Sequence, residues 1–160
     1  MHNQLEILLK EIKATNPVIL NITNFVTMDF IANGLLSLGA SPIMSQAIEE
    51  IDSLVQLSSC VVINIGTLNA PFLELANAAC YFANKAKKPI IFDPVGAGAT
   101  TYRTNSARQL LKDHNIQIIR GNASEIAALI NDTSTTKGVD STISMHDMQD
   151  EASKVATLFN

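Results

Sequence analysis

The stretch "IIRGNASEIAAL", residues 118–129, places an arginine, a glycine and an asparagine at the end of an apolar run. Asn122 and Glu125 have the spacing of a capping box, in which each residue accepts a hydrogen bond from the backbone of the other. In the alternative interpretation, Arg120 holds phosphate oxygens through its planar fork and Glu125 helps to hold Mg²⁺. The two interpretations are compatible, because we expect a cap to leave carboxylate capacity unused.

A second polar stretch, "DPVGAGAT" (93–100), also follows an apolar run. Its two closely spaced glycines either let backbone N–H groups approach an anion or form a tight turn between a strand and a helix. It is not a Walker A loop, because no Gly-Lys-Ser/Thr follows. Asp93 either faces a metal ion or forms an Asp-Pro turn. Spacing alone leaves both pairs of alternatives open.

Short apolar runs alternate with helical patterns along the chain, which predicts βαβ units. The expected strands are residues 17–22, 41–45, 60–66, 89–95 and 116–121, and the expected helices are residues 1–14, 26–39, 46–58, 71–86, 103–112, 122–130 and 145–160. A polar loop is expected at 131–142. We therefore predict a single α/β domain over residues 1–160, with a Rossmann-like three-layer architecture and a mainly parallel sheet.

Ligands of open α/β sheets bind beyond the carboxyl ends of the strands. Polar or glycine residues stand at the expected strand ends; they are Asn21, Asn24, Gly66, Thr67, Asp93 and Arg120. If the strands are parallel, these residues share one edge of the sheet. The sequence thus predicts a ligand site at that edge.

Composition excludes several classes of protein. With 160 residues, 47% hydrophobic and 16% charged, the chain is expected to fold rather than to be disordered. Its net charge of -4 argues against a nucleic-acid partner, and no apolar run approaches the length of a membrane span. Cys60 and Cys80 are expected to be buried, reduced thiols, which fits a cytoplasmic protein. His2, His114 and His146 are expected at the surface.

Five stretches together resemble the hydroxyethylthiazole kinase family of the ribokinase-like superfamily. They run in order from about residue 17 to 141 and are "NITNFVTMDFIANGLLSLGASPIMS", "VINIGTL", "FDPVGAGATTYRT", "IIRGNASEI" and "KGVDS". The resemblance implies phosphorylation of the hydroxyl of 4-methyl-5-(2-hydroxyethyl)thiazole by ATP with Mg²⁺, in thiamine salvage. It also implies a homotrimer that holds the thiazole between subunits. The alternatives are a phosphomethylpyrimidine kinase, a nucleotide-dependent dehydratase, a non-catalytic thiazole-binding fragment and a poorly folded product.

The resemblance also assigns site residues. It implies substrate contacts at Asn24, Val26, Met44, Gly66 and Thr67, ATP contacts at Asn24, Asp93 and Arg120, and metal contacts at Asp93 and Glu125. Leu20 stands where the family often has histidine, and we expect it to alter the substrate pocket. The family pattern continues past residue 160 with a catalytic cysteine in a Gly-rich loop. We therefore expect this chain to be truncated at its C-terminus, to contain no catalytic residue and to be weak or inactive alone.

Overall fold

A computed structural model describes residues 2–130 and 145–159. Its helices are α1 His2–Thr15, α2 Met28–Leu38, α3 Ile51–Leu57, α4 Ala70–Lys85, α5 Thr101–Asp113, α6 Ala123–Ala128 and α7 Met145–Leu158, with a 3-10 turn at Ile48–Glu50. Its strands are β1 Val18–Ile22, β2 Ser41–Met44, β3 Cys60–Asn64, β4 Ile90–Asp93 and β5 Ile118–Ile119. Every predicted strand and helix has a counterpart, and the predicted loop at 131–142 lies outside the described residues.

The five strands form one parallel sheet in the order β2-β1-β3-β4-β5. The prediction of a parallel α/β sheet is therefore confirmed. All five carboxyl ends meet at the same edge, which we call the carboxyl edge. The register between β3 and β4 sets Asn64 directly opposite Asp93 at that edge.

The fully buried core lies on one face of this sheet. The register aligns Leu20 with Val61 and Ile63 with Phe92, so their side chains share a face, whereas Val62 and Ile91 on the other face are only half-buried. Leu20, Val61, Ile63 and Phe92 have no exposed surface. Leu20 belongs to this core and lines neither the cavity at the carboxyl end of β1 nor the one between α7 and the β5 side of the sheet. Any influence of Leu20 on a substrate pocket would therefore be indirect.

Helix α4 shows how the local sequence fixes an element. Asn69 caps it by accepting from the Phe72 backbone N–H at 2.8 Å, and Pro71 lies in its first turn, where a missing N–H costs nothing. The helix packs small residues, among them Ala79 and Cys80, against the sheet. These small side chains allow a close approach between helix and strands.

The cysteine and histidine predictions hold only in part. Cys80 is buried and burial raises its pKa to about 12, whereas Cys60 is half-buried and its pKa is raised by the same cause. The prediction that His114 lies at the surface holds only in part. This ring is half-buried, its Nε2 lies 3.0 Å from Asn77 Oδ1, and burial lowers its pKa against the weaker opposing effect of Asp113. The side chains of His2 and His146 are not among those the structure describes, so their predicted surface positions stay predictions.

Helix α7 packs against α6 through a narrower face than the sequence predicts. Val155 is buried and Phe159 half-buried, but Ala152 and Ala156 are exposed. These residues line a cavity of about 140 Å³ between α7 and the β5 side of the sheet. The sequence also predicts that Met148 lies on the packed face of α7, but its side chain is not among those described.

None of the helices within 2–130 and 145–159 is long and apolar enough to cross a bilayer.

Candidate active site

A row of polar side chains runs along the carboxyl edge, from the end of β1 to the residue after β5. Asn24 Nδ2 donates to Asn64 Oδ1 at 2.9 Å, and Asn64 Nδ2 donates to Asp93 Oδ2 at 2.9 Å. Arg120 Nη2 donates to the same Asp93 oxygen at 2.5 Å. We call these four residues the polar row. The structure thus brings together three of the predicted site residues from different strand ends.

Asp93 and Arg120 keep bonding capacity beyond their ion pair. Asp93 Oδ1 and the Nε and Nη1 groups of Arg120 make no hydrogen bond within the described part of the chain. Asp93 is buried, whereas 71% of the Arg120 side chain is exposed. A guanidinium has five donors in one plane. Arg120 can therefore bond to Asp93 and still present N–H groups to an anion.

Glu125 ties helix α6 to the loop after β4. Its backbone N–H donates to Asn122 Oδ1 and its Oε2 accepts from the Asn122 N–H, both at 2.9 Å, so the capping box is confirmed. Its other oxygen, Oε1, accepts from the Gly96 N–H at 2.9 Å. The capping box therefore occupies Oε2, and the Gly96 N–H occupies Oε1. Each oxygen retains one further lone pair for a metal or a water molecule.

The glycine-rich stretch after β4 is internally bonded. Each backbone N–H of residues 96–99 donates to an acceptor in the protein: the Glu125 carboxylate, the Thr104 hydroxyl or a carbonyl of the loop. Gly96 and Gly98 have φ values of 76° and 89°, in the left-handed region that favours glycine. The four N–H groups are thus not available to an anion. Of the two interpretations of this stretch, the tight strand-to-helix turn is confirmed.

Arg103 positions the loops of the carboxyl edge, and the sequence reasoning missed it. Its Nη1 donates to the carbonyls of Ile65 at 2.7 Å and Val95 at 3.0 Å, and its Nη2 donates to the Gly66 carbonyl at 2.9 Å. It thereby joins the turn after β3 to the turn after β4. The sequence feature that could have indicated this role is an arginine soon after a glycine-rich stretch, in "GATTYR".

Asn64 is the second functional candidate that the sequence reasoning missed. It accepts from Asn24 and from the Gly66 N–H, and it donates to Asp93. The sequence feature that could have indicated its role is a carboxamide at the end of the otherwise apolar strand β3. A polar side chain in a buried strand needs partners, and here those partners are the polar row.

Gly66 and Thr67, two of the predicted substrate residues, lie against the loop after β1. A Cβ added at Gly66 would lie 2.9 Å from Asn24 Cβ, so only glycine allows this approach. Thr67 Oγ1 accepts from the Phe25 backbone N–H at 3.3 Å. The loops after β1 and β3 are thus in contact at the carboxyl edge.

Val26 and Met44 stand further from these contacts. Val26 is 84% exposed in the loop after β1. Met44 is half-buried at the end of β2, paired in register with Asn21 of β1. Both lie at the predicted edge, but no hydrogen bond within the described part of the chain links either side chain to the polar row.

A magnesium ion at the carboxyl edge would rest on few protein ligands. The described residues contain no group of three or more His, Cys, Asp or Glu placed to hold a metal ion. Mg²⁺ needs only one or two carboxylates, with water and substrate phosphates as its other ligands. Asp93 fits that requirement, because its Oδ1 is unused by the described residues.

Comparison with known proteins gives one consistent result. The sequence model of the hydroxyethylthiazole kinase family matches residues 9–160. The chain is 44% identical over 152 residues to a hydroxyethylthiazole kinase of Brachyspira hyodysenteriae, covering 95% of this chain and 58% of that protein. It is 49% identical over 133 residues to one of Methanococcus maripaludis, covering 83% of this chain and 50% of that protein.

A solved structure agrees with these sequence matches. The hydroxyethylthiazole kinase protein of Pyrococcus horikoshii superimposes with a TM-score of 0.74 and 45% sequence identity, covering 76% of this chain and 47% of that chain. The chain spans about half the length of the relatives it matches. The family match extends over nearly all of its residues and includes the carboxyl edge, so the chain belongs to the hydroxyethylthiazole kinase family.

Proposed function

We propose that this protein serves the phosphorylation of the hydroxyl of hydroxyethylthiazole by ATP, as a cytoplasmic enzyme of thiamine salvage. The observation that carries the proposal is Arg120, which bonds to Asp93 with one nitrogen and has further N–H groups exposed at the carboxyl edge. Exposed, oriented guanidinium groups are suited to phosphate oxygens. The free thiols of Cys60 and Cys80 support the cytoplasmic location.

The nucleotide and the thiazole take neighbouring places along the edge in this proposal. Arg120 and Asp93 lie at the phosphate end, while Val26, Met44 and Thr67 lie towards the substrate end. Asn24 belongs to both, because it joins the loop after β1 to the polar row. Phosphoryl transfer depends mainly on such positioning and on charge neutralisation.

Asp93 and Glu125 would hold Mg²⁺ in this arrangement. Asp93 offers its unused Oδ1, and Glu125 offers the lone pairs that its two backbone hydrogen bonds leave. When bound, the metal would neutralise charge on the phosphate groups. In the reaction, the substrate hydroxyl oxygen bonds to the γ-phosphorus, the bond to the β-phosphate oxygen breaks, ADP leaves and the hydroxyl proton is released.

The proposal also includes a homotrimer. Helix α2 is apolar yet buries none of its residues, and Phe30 is 80% exposed on it. Leu36, on the same helix, and Val26, in the loop before it, are also exposed. Apolar side chains left in solvent along one helix are typical of an interface. A trimer that buries α2 would also cover the exposed end of the substrate site.

We propose that the 160-residue chain is a weak catalyst by itself. The four N–H groups of residues 96–99 are already bonded, so the glycine-rich stretch cannot cradle the transferring phosphoryl group. Backbone donors of that kind are worth large factors in rate when they are present. Ligand binding is therefore a more sensitive test of this chain than turnover.

Calorimetry with Mg-ATP and mass spectrometry of thiazole phosphate test the proposal. Arg120→Ala should weaken Mg-ATP binding about 10- to 100-fold, since hydrogen bonds between charged groups contribute about 1.5–3 kcal/mol. Lys112→Ala, which removes an exposed cation from the last turn of α5, is the matched control and should change nothing. A folded chain that binds neither Mg-ATP nor the thiazole at millimolar concentration would contradict the proposal.

A further inference from the structure

One guanidinium nitrogen binds two peptide units at the carboxyl edge. Arg103 Nη1 donates to the Ile65 carbonyl at 2.7 Å and to the Val95 carbonyl at 3.0 Å. These carbonyls belong to the peptide units that lead into Gly66 and Gly96. A single atom thus contacts one peptide unit of the turn after β3 and one of the turn after β4.

The N–H groups of the same two peptide units bond to polar side chains of the site. The Gly66 N–H donates to Asn64 Oδ1 at 3.0 Å, and the Gly96 N–H donates to Glu125 Oε1 at 2.9 Å. Asn64 Nδ2 in turn donates to Asp93 Oδ2 at 2.9 Å. The two carboxylates are therefore each joined to the guanidinium through one of these peptide units.

Each peptide unit relates the direction of its N–H to that of its carbonyl. A trans peptide unit is planar, and its N–H and C=O groups point in opposite directions. The part of the chain that the structure describes contains no cis peptide bond. A donor that fixes the carbonyl therefore fixes the N–H on the other side, and hydrogen bonds in such a chain strengthen one another. The direction of both N–H groups thus depends on Arg103.

The Arg103 side chain is committed to these two turns. It is half-buried and has no carboxylate partner within residues 2–130 and 145–159. Its Nη2 donates to a third carbonyl, that of Gly66, at 2.9 Å. Its stem lies against the second turn, since a Cβ added at Gly96 would lie 3.1 Å from Arg103 Cδ. Hydrogen bonds from a charged donor are stronger than neutral ones, so these three hold both turns firmly.

We propose that Arg103 is a positioning residue for the Mg²⁺ of the nucleotide, acting through these two peptide units on Asp93 and Glu125. The inference rests on the proposed function and adds to it a residue that touches neither the nucleotide nor the metal. Groups that orient the ligands of a metal tune its binding nearly as strongly as the ligands do. In this chain one guanidinium orients two such ligands.

The test compares ATP with Mg²⁺ and ATP with EDTA on the whole chain. Calorimetry gives both dissociation constants for the wild type, Arg103→Lys and Arg103→Met. Arg103→Lys keeps the charge and an aliphatic stem but lacks the planar fork. It should weaken Mg-ATP binding about tenfold, a typical loss when a group that orients metal ligands is removed. Arg103→Met should lose at least as much, and binding of metal-free ATP should stay unchanged in both variants.

Arg108→Lys is the matched control. Arg108 lies on the same helix and also donates to two backbone carbonyls, those of Leu129 and Ala128, each at 3.0 Å. The N–H groups of those two peptide units donate to carbonyls of α6 and not to a side chain of the site. Arg108→Lys should therefore lower the melting temperature but leave both dissociation constants unchanged.

A second readout needs no ligand. In ¹H–¹⁵N spectra of Arg103→Lys, the amide protons of Gly66 and Gly96 should move upfield, because a hydrogen bond weakens as its donor turns out of line. The amide proton of Gly34, in helix α2, should not move. This pattern distinguishes two turned peptide units from a general loss of structure.

The outcomes separate this inference from the proposed function. If Arg103→Lys keeps the wild-type preference for Mg-ATP over metal-free ATP, the role of Arg103 is overturned and the proposed function stands. An equal loss in Arg108→Lys, or a wild type without that preference, overturns the role as well. If the folded wild type binds neither Mg-ATP nor the thiazole, both are overturned. A preference lost only in the Arg103 variants, with both glycine amides shifted, would establish the role.

Discussion

Replacement of Asn64 by leucine should destabilise the protein strongly, because one carboxamide is lost but three hydrogen bonds are lost with it. The carboxamide makes three hydrogen bonds at the carboxyl edge: it donates to Asp93 and accepts from Asn24 and from the Gly66 N–H. Leucine has similar size but makes none of them. The change therefore tests the polar row with little change in side-chain volume.

The magnitude follows from counting those bonds. Two neutral hydrogen bonds contribute about 1 kcal/mol each, and the bond to the carboxylate of Asp93 contributes about 2 kcal/mol. The sum is about 4 kcal/mol, with further cost where the buried amide of Asn24 loses its acceptor. That is a large part of a typical free energy of unfolding, which lies at about 5–15 kcal/mol.

Urea unfolding followed by far-UV circular dichroism measures the effect, since the chain has no tryptophan. With a urea m-value of about 2 kcal/mol per M, the midpoint of Asn64→Leu should fall by about 2 M. The matched control is Asn84→Leu, which removes two exposed hydrogen bonds to Asn115 and should cost about 1–2 kcal/mol. A loss of less than 1 kcal/mol in Asn64→Leu, at an unchanged m-value, would refute the reasoning.

Three further predictions concern the loops of the carboxyl edge and His114. Gly66→Ala should lower the free energy of unfolding by about 1–3 kcal/mol, because the added Cβ would lie 2.9 Å from Asn24 Cβ. In the control Gly34→Ala, the added Cβ meets nothing within 4 Å, and the change should stabilise helix α2 by up to about 1 kcal/mol. Urea titrations measure both effects. Arg103→Met should lower the melting temperature and increase hydrogen exchange in the turns after β3 and β4, and unchanged exchange there would contradict its role. Burial lowers the pKa of His114 in the folded state, so the unfolded chain binds more protons below about pH 6.5 and stability falls as the pH falls. His114→Gln should flatten that part of the stability profile, and an equal slope in both proteins would contradict it.

The order of elements could be predicted from the sequence because the strands are short apolar runs and the helices carry their own stop signals. Gly39 ends α2 in the left-handed conformation with a φ of 96°, as expected for a helix-terminating glycine. Strand β5 is shorter than predicted, spanning two residues, because pairing with β4 covers only Ile118 and Ile119. Apolar character marks where a strand could form, whereas the length of pairing depends on the neighbouring strand.

The candidate site was predictable only where a residue stands at the end of a strand. Asp93 is the last residue of β4 and Arg120 directly follows β5, so parallel topology alone brings them to one edge. Asn64 and Arg103 act through partners distant in sequence, on other strands and loops, and no local spacing reveals those partners.

The most direct test of the account is a ¹H–¹⁵N NMR titration of the chain with Mg-ATP. The account predicts that the largest amide shift changes cluster at the carboxyl edge, at Asp93, Gly121 and the loop after Asn24, and that Arg120→Ala needs about 10- to 100-fold more Mg-ATP to produce them. Changes clustered at the opposite, amino edge of the sheet, or an unchanged titration midpoint in Arg120→Ala, would contradict the claim that this edge holds the nucleotide.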